Sequence, residues 1–395
     1  MADQSSQNPP DAPEGSATEA DGARRLGTLR DELSRIDDEL VQLLAARMRV
    51  VGEVAARKAR DGKAPFDRAR EAEKMQELRA RADDLAVPRE LVSDVFGVLL
   101  ASSRARQRTL LLEAEPRFSI GVIGGTHGMG EFLARLFRGA GYPVTAMGLD
   151  SGPPAAEVAA SHDLVLVAVP IAQTERVIRE VGPFVRRGAC LVDVTSVKKA
   201  PLAAMLAATA PEVDVVGTHP MFGPHAGDDM DRQRVVLCRG RGDAGFARVR
   251  RLFELFGADV ITADAAEHDA QMALIQVLVH EKTMVLGSVL ERLQAPLGRS
   301  LEFASPVYRA ELAMVGRLYS QEADLYADIL TNNPDGTRVS ALFAEEARRF
   351  ALAVQNGERA WILGRFREVA SYLKEFAAWA KKESDAILHD VVRHG

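Results

Sequence analysis

The stretch "FSIGVIGGTHGMGEFLARLFRGAGYPVTAMGLD" (residues 118–150) decides the fold of the central part of this chain. It contains an apolar run, a glycine-rich turn, a segment with helical spacing of apolar residues, and a second apolar run. This order predicts a strand, a tight turn, a helix and a strand, which open a dinucleotide-binding fold. In such a fold, backbone amides at the helix N-terminus hold a pyrophosphate. We therefore expect the cofactor to contact Gly124, Gly125, Gly128, Met129 and Gly130.

Two positions in this stretch depart from the usual fingerprint. In the G-x-G-x-x-G frame, Gly125 and Gly130 take the first and third positions, but His127 takes the middle one. Gly148 stands where an acidic residue usually binds the ribose, and Asp150 follows two residues later as the candidate acid. The segment "GLDSGPP" contains no Arg or Lys that could bind a 2′-phosphate. The sequence therefore favours NAD over NADP.

Three further apolar runs follow: "DLVLVAVP", "ACLVDVTS" and "VDVVGTHP". Runs that are apolar on both faces are typical of a parallel sheet covered by helices. The segments on either side show helical periodicity throughout. The predicted fold class is multidomain, with an all-α domain, an α/β Rossmann-type dinucleotide-binding domain and a second all-α domain. The predicted boundaries are a disordered tail over residues 1–24 and domains over residues 25–113, 114–264 and 265–395.

The first helical segment carries an apolar stripe that it cannot bury by itself. The stripe recurs at three-to-four spacing and consists of Leu26, Leu29, Leu33, Ile36, Leu40, Leu43 and Leu44. Gly62 and Pro65 then break the helix. A helix of more than thirty residues cannot fold back on its own segment to cover such a stripe. We expect it to pack against a second copy of the chain, which predicts a homodimer.

Composition and charge argue against several kinds of partner and site for this sequence. A net charge of −6 over 395 residues gives no reason to expect nucleic acid or an anionic membrane as a partner. No stretch approaches the ~20 apolar residues of a membrane span, and the N-terminus lacks a signal-peptide pattern. Cys190 and Cys238 lie far apart in the sequence, which implies neither a disulfide framework nor a zinc site. We therefore expect the protein in the reducing cytoplasm. His219 and His225 lack further ligands, so no metal is expected.

Four motifs and the glycine turn together resemble the bifunctional chorismate mutase/prephenate dehydrogenase family of tyrosine biosynthesis. The motifs are "VDVTSVKKAPL", "HPMFGPHAG", "EHDAQMALIQ" and "SPVYRAELAMVGRLYSQEADLYADI". The resemblance covers about residues 26 to 390. It implies that the chain rearranges chorismate to prephenate and then oxidises prephenate to 4-hydroxyphenylpyruvate with NAD, with loss of carbon dioxide.

The oxidation needs a group that accepts the proton of the ring hydroxyl, and histidine suits that task near pH 7. By resemblance, His219 in "GTHPMFGP" has this role, and Ser196 hydrogen-bonds the histidine and reaches the nicotinamide. Prephenate is a dianion and needs fixed cations. The resemblance assigns Arg317 to the substrate, with Arg309 as a second candidate. The residues His268, Gln271 and His280 also match family positions, the first two of them near the pocket.

The rearrangement of chorismate is pericyclic, so catalysis requires holding a dianion and stabilising charge on the breaking ether oxygen. A helical site rich in Arg and Lys suits that task. By resemblance, Arg30 and Arg47 bind the carboxylates, and Arg30 reaches into the partner's site. The other matches are Lys58 and Gln107 on the ether oxygen, Glu71 with Asp67 on the ring hydroxyl, and Ser103 with Arg70 supporting a carboxylate.

Two alternative functions remain open at this point. A dehydrogenase of 4-amino-4-deoxyprephenate would use the same His219 and arginines. The second alternative is a regulatory protein in which one or both sites are inactive. The altered glycine turn leaves this alternative open for the dehydrogenase half. No separate regulatory domain is recognised after the C-terminal helices, so inhibition by tyrosine would have to act at or near the dehydrogenase site.

Overall fold

The structure, a computed structural model, describes residues 15–61, 66–224, 227 and 229–393. It contains two compact units, one that ends at Glu115 and one that begins at Pro116. The first helix begins at Gly15, inside the stretch predicted as a tail, and residues 1–14 lie outside the described residues. The domain boundaries given above stay a prediction.

The described residues of the first unit form three helices. They are α1 (Gly15–Arg60), α2 (Arg68–Asp84) and α3 (Arg89–Ala114), and both α1 and α2 pack against α3. Asp67 caps α2, because its side chain accepts the Arg70 N–H at 3.0 Å. The 46 residues of α1 span about 69 Å, whereas the 26 residues of α3 span about 39 Å. The apolar stripe of α1 is therefore left uncovered, and Leu33 and Leu43 are 60% and 66% exposed.

The second unit is built on one seven-stranded sheet, ordered β2-β1-β3-β4-β5-β6-β7. Neighbouring strands run parallel except β5 and β6, which are antiparallel. The strands are β1 (Ile120–Ile123), β2 (Val144–Met147), β3 (Leu164–Val167), β4 (Cys190–Asp193), β5 (Asp214–Pro220), β6 (Arg234–Arg241) and β7 (Asp259–Ala263). Helices α4 (Gly128–Gly139), α5 (Ala155–Ser161), α6 (Ile171–Val181), α7 (Lys199–Ala208) and α8 (Asp243–Leu255) connect them.

The central strands are buried along their whole length, as their apolar runs predict. All four residues of β1, β3 and β4 are buried. The chain leaves β1 for β2 on one side and returns to β3 on the other, so the strand order reverses at β1. In open α/β sheets, ligands bind beyond the carboxyl ends of the strands at such a point. The predicted Rossmann-type fold is confirmed.

The rest of the second unit is helical. It contains α9 (Ala265–Met272), a π-helical stretch (Ala273–Leu278), α10 (Val279–Arg292), α11 (Leu297–Glu302), α12 (Pro306–Tyr319), α13 (Ala323–Asn332), α14 (Gly336–Gln355), α15 (Arg359–Tyr372) and α16 (Ala377–Arg393). Large apolar side chains remain exposed on these helices, among them Phe366, Tyr372 and Trp379. Exposed apolar surface of this extent is typical of a surface that another chain covers.

One helical run corrects an expectation from the sequence. Ala265–Arg292 is long and apolar enough to cross a membrane by length and composition, although no stretch was expected to approach that length. A single such helix is weak evidence, because long helices of soluble proteins pass the same test. In this run His268 and Asp269 are buried, and Asp269 accepts the backbone N–H of Lys198. These contacts attach the run to the sheet.

Candidate active sites

The glycine turn between β1 and α4 has the shape that a pyrophosphate requires. Gly124 has φ +84°, and a Cβ on it would overlap the Ala168 carbonyl oxygen. A Cβ on Gly130 would overlap the carbonyl oxygen of Gly124, so this glycine lets α4 approach β1 closely. At Gly128, the first residue of α4, a Cβ would meet nothing within 4 Å. The turn is therefore closely packed on the protein side and open at the helix N-terminus, which fits a dinucleotide.

The turn also contacts the end of β2. The N–H groups of Gly124 and Gly125 both donate to the Met147 carbonyl at 2.9 Å. His127, in the middle position of the fingerprint, is exposed and has an extended backbone with φ −146°. Its Nδ1 lies 3.0 Å from Thr126 Oγ1. A side chain at this position is thus accommodated by pointing away from the packed side of the turn.

His219 lies near the end of β5 and is only 3% exposed. Its Nδ1 lies 2.9 Å from His268 Nε2, and His268 Nδ1 lies 2.8 Å from Asp269 Oδ1. The two oxygens of Asp269 also accept the N–H groups of Lys198 at 2.7 Å and Lys199 at 3.0 Å. These contacts form a buried chain of three side chains that begins at a carboxylate and ends at His219.

The charge of Asp269 determines which ring nitrogens of His268 and His219 carry protons. Burial alone would raise the pKa of Asp269, but hydrogen bonds from His268 and from the amides of Lys199 and Lys198 outweigh it and lower the pKa. The ionised carboxylate accepts the His268 Nδ1–H, so His268 Nε2 is left to accept from His219 Nδ1–H. The remaining nitrogen of His219, Nε2, then carries the lone pair. Gln276 Nε2 lies 3.4 Å from it.

His219 stays neutral in this position. Burial is the main cause that holds its pKa well below the usual range, and the neighbouring side chains of His268 and Lys198 act in the same direction. Lys198 is itself fully buried and pairs with Asp193, which also accepts the Thr195 hydroxyl at 2.6 Å. A neutral imidazole with a lone pair on Nε2 is the form that accepts a proton.

The structure brings together only some of the predicted dehydrogenase residues. Ser196 is half-buried after β4 and makes no hydrogen bond within the described part of the chain, while the two ring nitrogens of His219 lie near His268 and Gln276. Gln271 is exposed on α9, and Gln276 contacts His219 instead. Asp269 and Gln276 were not predicted, although Asp269 directly follows His268 in the sequence.

The predicted substrate arginines lie on α12. Arg317 is exposed and Arg309 is half-buried. Burial raises the pKa of Tyr326 on α13, and the nearby charge of Arg317 acts in the opposite direction. The Tyr326 ring meets the His280 ring edge-on with centroids 4.9 Å apart. Arg317, Tyr326 and His280 thus form one cluster, and His280 lies on the same continuous helical run as His268.

The first unit contains a second polar cluster between α1 and α3. Arg47 donates to the Ser103 hydroxyl and, at 3.1 Å, to the Leu99 carbonyl. Lys58 donates to Gln107 Oε1 at 3.2 Å. Burial lowers the pKa of Lys58, while the charges of Asp67 and Glu71 oppose that shift. Six of the predicted residues are therefore held close to one another.

One unpredicted residue joins this cluster, and two predicted ones do not. Glu71 accepts from Arg104 at 2.7 Å, and Arg104 is buried although it was not predicted as a site residue. Arg70 is exposed and pairs with Glu73, so it does not join the cluster. Arg30 is exposed on α1 and lies 17 residues before Arg47, which places the two about 26 Å apart along the helix. Arg30 cannot reach the pocket of its own chain.

Within the described residues, no group of three or more His, Cys, Asp or Glu side chains could hold a metal ion. His225 lies outside the described residues. Both cysteines are buried, and burial raises the pKa of each thiol to about 12. Neither is a thiolate at neutral pH, so neither cysteine is expected to act as a nucleophile.

Two enzyme classes are defined by these two units: a helical site with fixed cations, and a Rossmann-type oxidoreductase site with a buried imidazole. Three family models match the chain. Chorismate mutase type II matches residues 29–108, the nucleotide-binding domain of prephenate dehydrogenase matches residues 144–262, and the dimerization domain of prephenate dehydrogenase matches residues 264–371.

Relatives match over nearly the whole chain. A T-protein of Enterobacter agglomerans is 34% identical over 92% of this chain and 97% of its own length. A T-protein of Haemophilus influenzae is 31% identical over 92% of this chain and 96% of its own. A prephenate dehydrogenase of A. aeolicus, solved with hydroxyphenyl propionate and NAD+, shares the fold with a TM-score of 0.53 at 18% identity, covering 68% of this chain and 99% of that one.

The chain therefore belongs to the T-protein family of bifunctional chorismate mutase/prephenate dehydrogenases. It is an enzyme of tyrosine biosynthesis with both activities, which confirms the family and the function predicted from the sequence. The nucleotide-binding family model supports the predicted NAD cofactor.

Proposed function

We propose that His219 is the base of the dehydrogenase reaction and that His268 and Asp269 position it. The observation that carries this proposal is the buried chain Asp269–His268–His219 with bonds of 2.8 and 2.9 Å. The enzyme converts chorismate to prephenate in its first unit. Its second unit oxidises prephenate to 4-hydroxyphenylpyruvate with NAD.

NAD held at the glycine turn would supply the acceptor for the hydride that leaves the carbinol carbon of prephenate. The hydroxyl proton passes to His219 Nε2, carbon dioxide leaves as the ring becomes aromatic, and His219 returns the proton to the phenolate oxygen of the product. His219 holds its other proton on Nδ1 and donates it to His268, so the ring cannot rotate away from the substrate. The carboxylate of Asp269 stabilises the positive charge that develops on the two imidazoles. Arg317 binds a substrate carboxylate at the other end of the pocket.

The lowered pKa of His219 predicts how dehydrogenase activity depends on pH. The base acts only when neutral, so activity is lost as pH falls through its pKa. Because that pKa lies well below the ordinary 6.5, the acid limb of kcat/KM is expected below pH 6.5. His268→Asn removes a neighbour whose interaction with His219 lowers this pKa, so it should move the limb to higher pH.

The matched control for this pH profile is Glu267→Gln, because Glu267 is exposed on the same helix as His268 and its charge does not act on the pKa of His219. It should leave the acid limb in place. An acid limb that stays at the same pH in His268→Asn would show that His268 does not act on His219. A purely structural role for His268 would lower activity equally at every pH.

In the mutase site, the Lys58 ammonium and the Gln107 amide lie together where they can contact the ether oxygen that breaks. Arg47 and Ser103 supply the contacts to a carboxylate, and Glu71, fixed by Arg104, holds the ring hydroxyl. The reaction needs no proton transfer. These groups therefore act by holding chorismate in its compact form and by stabilising charge on the ether oxygen.

We also propose that the enzyme is a homodimer in which each mutase site takes Arg30 from the partner. The exposed stripe of α1, the 26 Å separation argued above and the matched dimerization domain support this assembly. Inhibition by tyrosine and a cytoplasmic location stay predictions of the sequence.

Mixing two inactive variants tests the shared mutase site. Arg30→Ala and Lys58→Ala each leave every site of a homodimer incomplete. In a mixed dimer one site has both residues intact and the other has neither. Random re-pairing of equal amounts makes half of the dimers mixed, so mutase activity should return to about a quarter of wild type. No recovery after verified subunit exchange would show that Arg30 serves its own chain.

A further inference from the structure

The space beyond β2, where a carboxylate usually binds the adenosine ribose, is filled in this chain by two hydroxyl side chains. Gly148 is buried directly after the strand. A Cβ on Gly148 would overlap Thr126 Oγ1 and lie 2.9 Å from Ser151 Oγ. Thr126 belongs to the glycine turn that faces the cofactor. An acidic side chain at position 148 therefore cannot start from this backbone unless Thr126 moves.

Asp150, the acid expected from the sequence, lies in a different place. The Gly148 N–H donates to the Ser151 carbonyl at 2.8 Å and closes a turn over residues 148–151. Leu149 and Asp150 form the exposed corner of this turn, and Leu149 is 94% exposed. Thr126 and Gly148 lie at its base, beside the end of β2. The two hydroxyls therefore surround the Cβ position of residue 148, from which the ribose-binding acid usually extends, whereas Asp150 is exposed at the corner.

We propose that Thr126 and Ser151 hold the adenosine ribose through neutral hydroxyls, and that this enzyme therefore binds NADP+ nearly as well as NAD+. A carboxylate at the end of β2 accepts hydrogen bonds from the ribose hydroxyls and repels a 2′-phosphate. A hydroxyl both accepts and donates, so it is compatible with a 2′-hydroxyl and with a 2′-phosphate. The absence of Arg and Lys from residues 148–154 leaves no cation that would favour NADP+.

This inference rests on the dehydrogenase function and is tested by binding alone. NAD+ and NADP+ are titrated separately into the full-length enzyme by isothermal titration calorimetry, without prephenate. The wild-type dissociation constants should agree within about tenfold, which is the effect of about one hydrogen bond to a charged group. The variant Thr126→Gly/Gly148→Glu opens the space and places a carboxylate in it. It should weaken NADP+ binding at least about tenfold relative to NAD+.

Two single variants are the controls. Thr126→Gly removes a hydroxyl without adding charge, so it should weaken both nucleotides and leave their ratio unchanged. Asp150→Asn should leave both constants unchanged. The proposal is overturned if the wild type binds NAD+ more than about tenfold tighter than NADP+. Loss of that preference in Asp150→Asn would then show that Asp150 is the acid that binds the ribose. Binding of neither nucleotide would remove the dehydrogenase function as well, which separates the two failures. The wild type and Asp150→Asn decide the matter even if the double variant does not fold.

Discussion

His219→Asn is expected to lower the dehydrogenase kcat about 10³-fold while the mutase activity stays within twofold of wild type. Asparagine is close to histidine in size and can still donate to His268, but it has no basic nitrogen for the hydroxyl proton. The measurement follows NADH formation from prephenate and chorismate loss in the same preparation. The two activities separate because the base lies in the second unit and the mutase cluster lies in the first.

His162→Asn is the control for losing a buried histidine. His162 lies in the same sheet unit, is 8% exposed and contacts Thr145 Oγ1 at 2.9 Å. It should cost stability without reducing kcat, because its contacts join α5 to β2 and do not involve His219. Parallel loss of both activities in His219→Asn would contradict separate sites. A dehydrogenase loss below tenfold would show that another group accepts the proton.

Lys58→Ala is expected to lower the mutase kcat at least about 100-fold, because an ammonium positioned on developing negative charge gives an effect of that size. Gln107 holds this ammonium at 3.2 Å, and partial burial strengthens its field. The dehydrogenase rate with added prephenate should not change. The measurement is the initial rate of chorismate loss, set against the rate of NADH formation.

Lys74→Ala provides the control for removing a lysine from the same unit. Lys74 lies on α2 and pairs with Glu77 in an exposed i,i+3 contact, 51% and 48% exposed. Its loss should leave both rates within twofold of wild type. If Lys58→Ala keeps more than a tenth of the mutase rate, the ammonium is not the group that stabilises the ether oxygen.

The sequence predicted the sheet unit well because buried parallel strands are apolar on both faces, as "DLVLVAVP" illustrates. It predicted the mutase cluster because the family spacing fixes which side chains of α1 and α3 meet, as Lys58 and Gln107 do. Arg104 was missed, because an arginine within a helix reads as a solvated charge unless its burial is known.

The partners of His219 could not be predicted from helical periodicity. Gln271 was matched by resemblance to a position near the pocket and is exposed on α9, whereas Gln276, which contacts His219, lies in the π-helical stretch Ala273–Leu278 between α9 and α10. A π-helical turn adds a residue to the repeat, so a face drawn at 3.6 residues per turn is wrong beyond it. Asp269 was missed for a different reason. An acidic residue in a helix usually points to solvent. Asp269 is buried because its carboxylate accepts the Lys198 N–H in the loop after β4.

The bond between His219 and His268 joins two different parts of the second unit, since one imidazole belongs to β5 and the other to α9. Its 2.9 Å length exists only while the helices are seated against the sheet. A hinge motion that moved α9 away from β5 would break this bond and leave His219 without its positioning partners. The placement of the base therefore depends on how the C-terminal helices pack against the sheet.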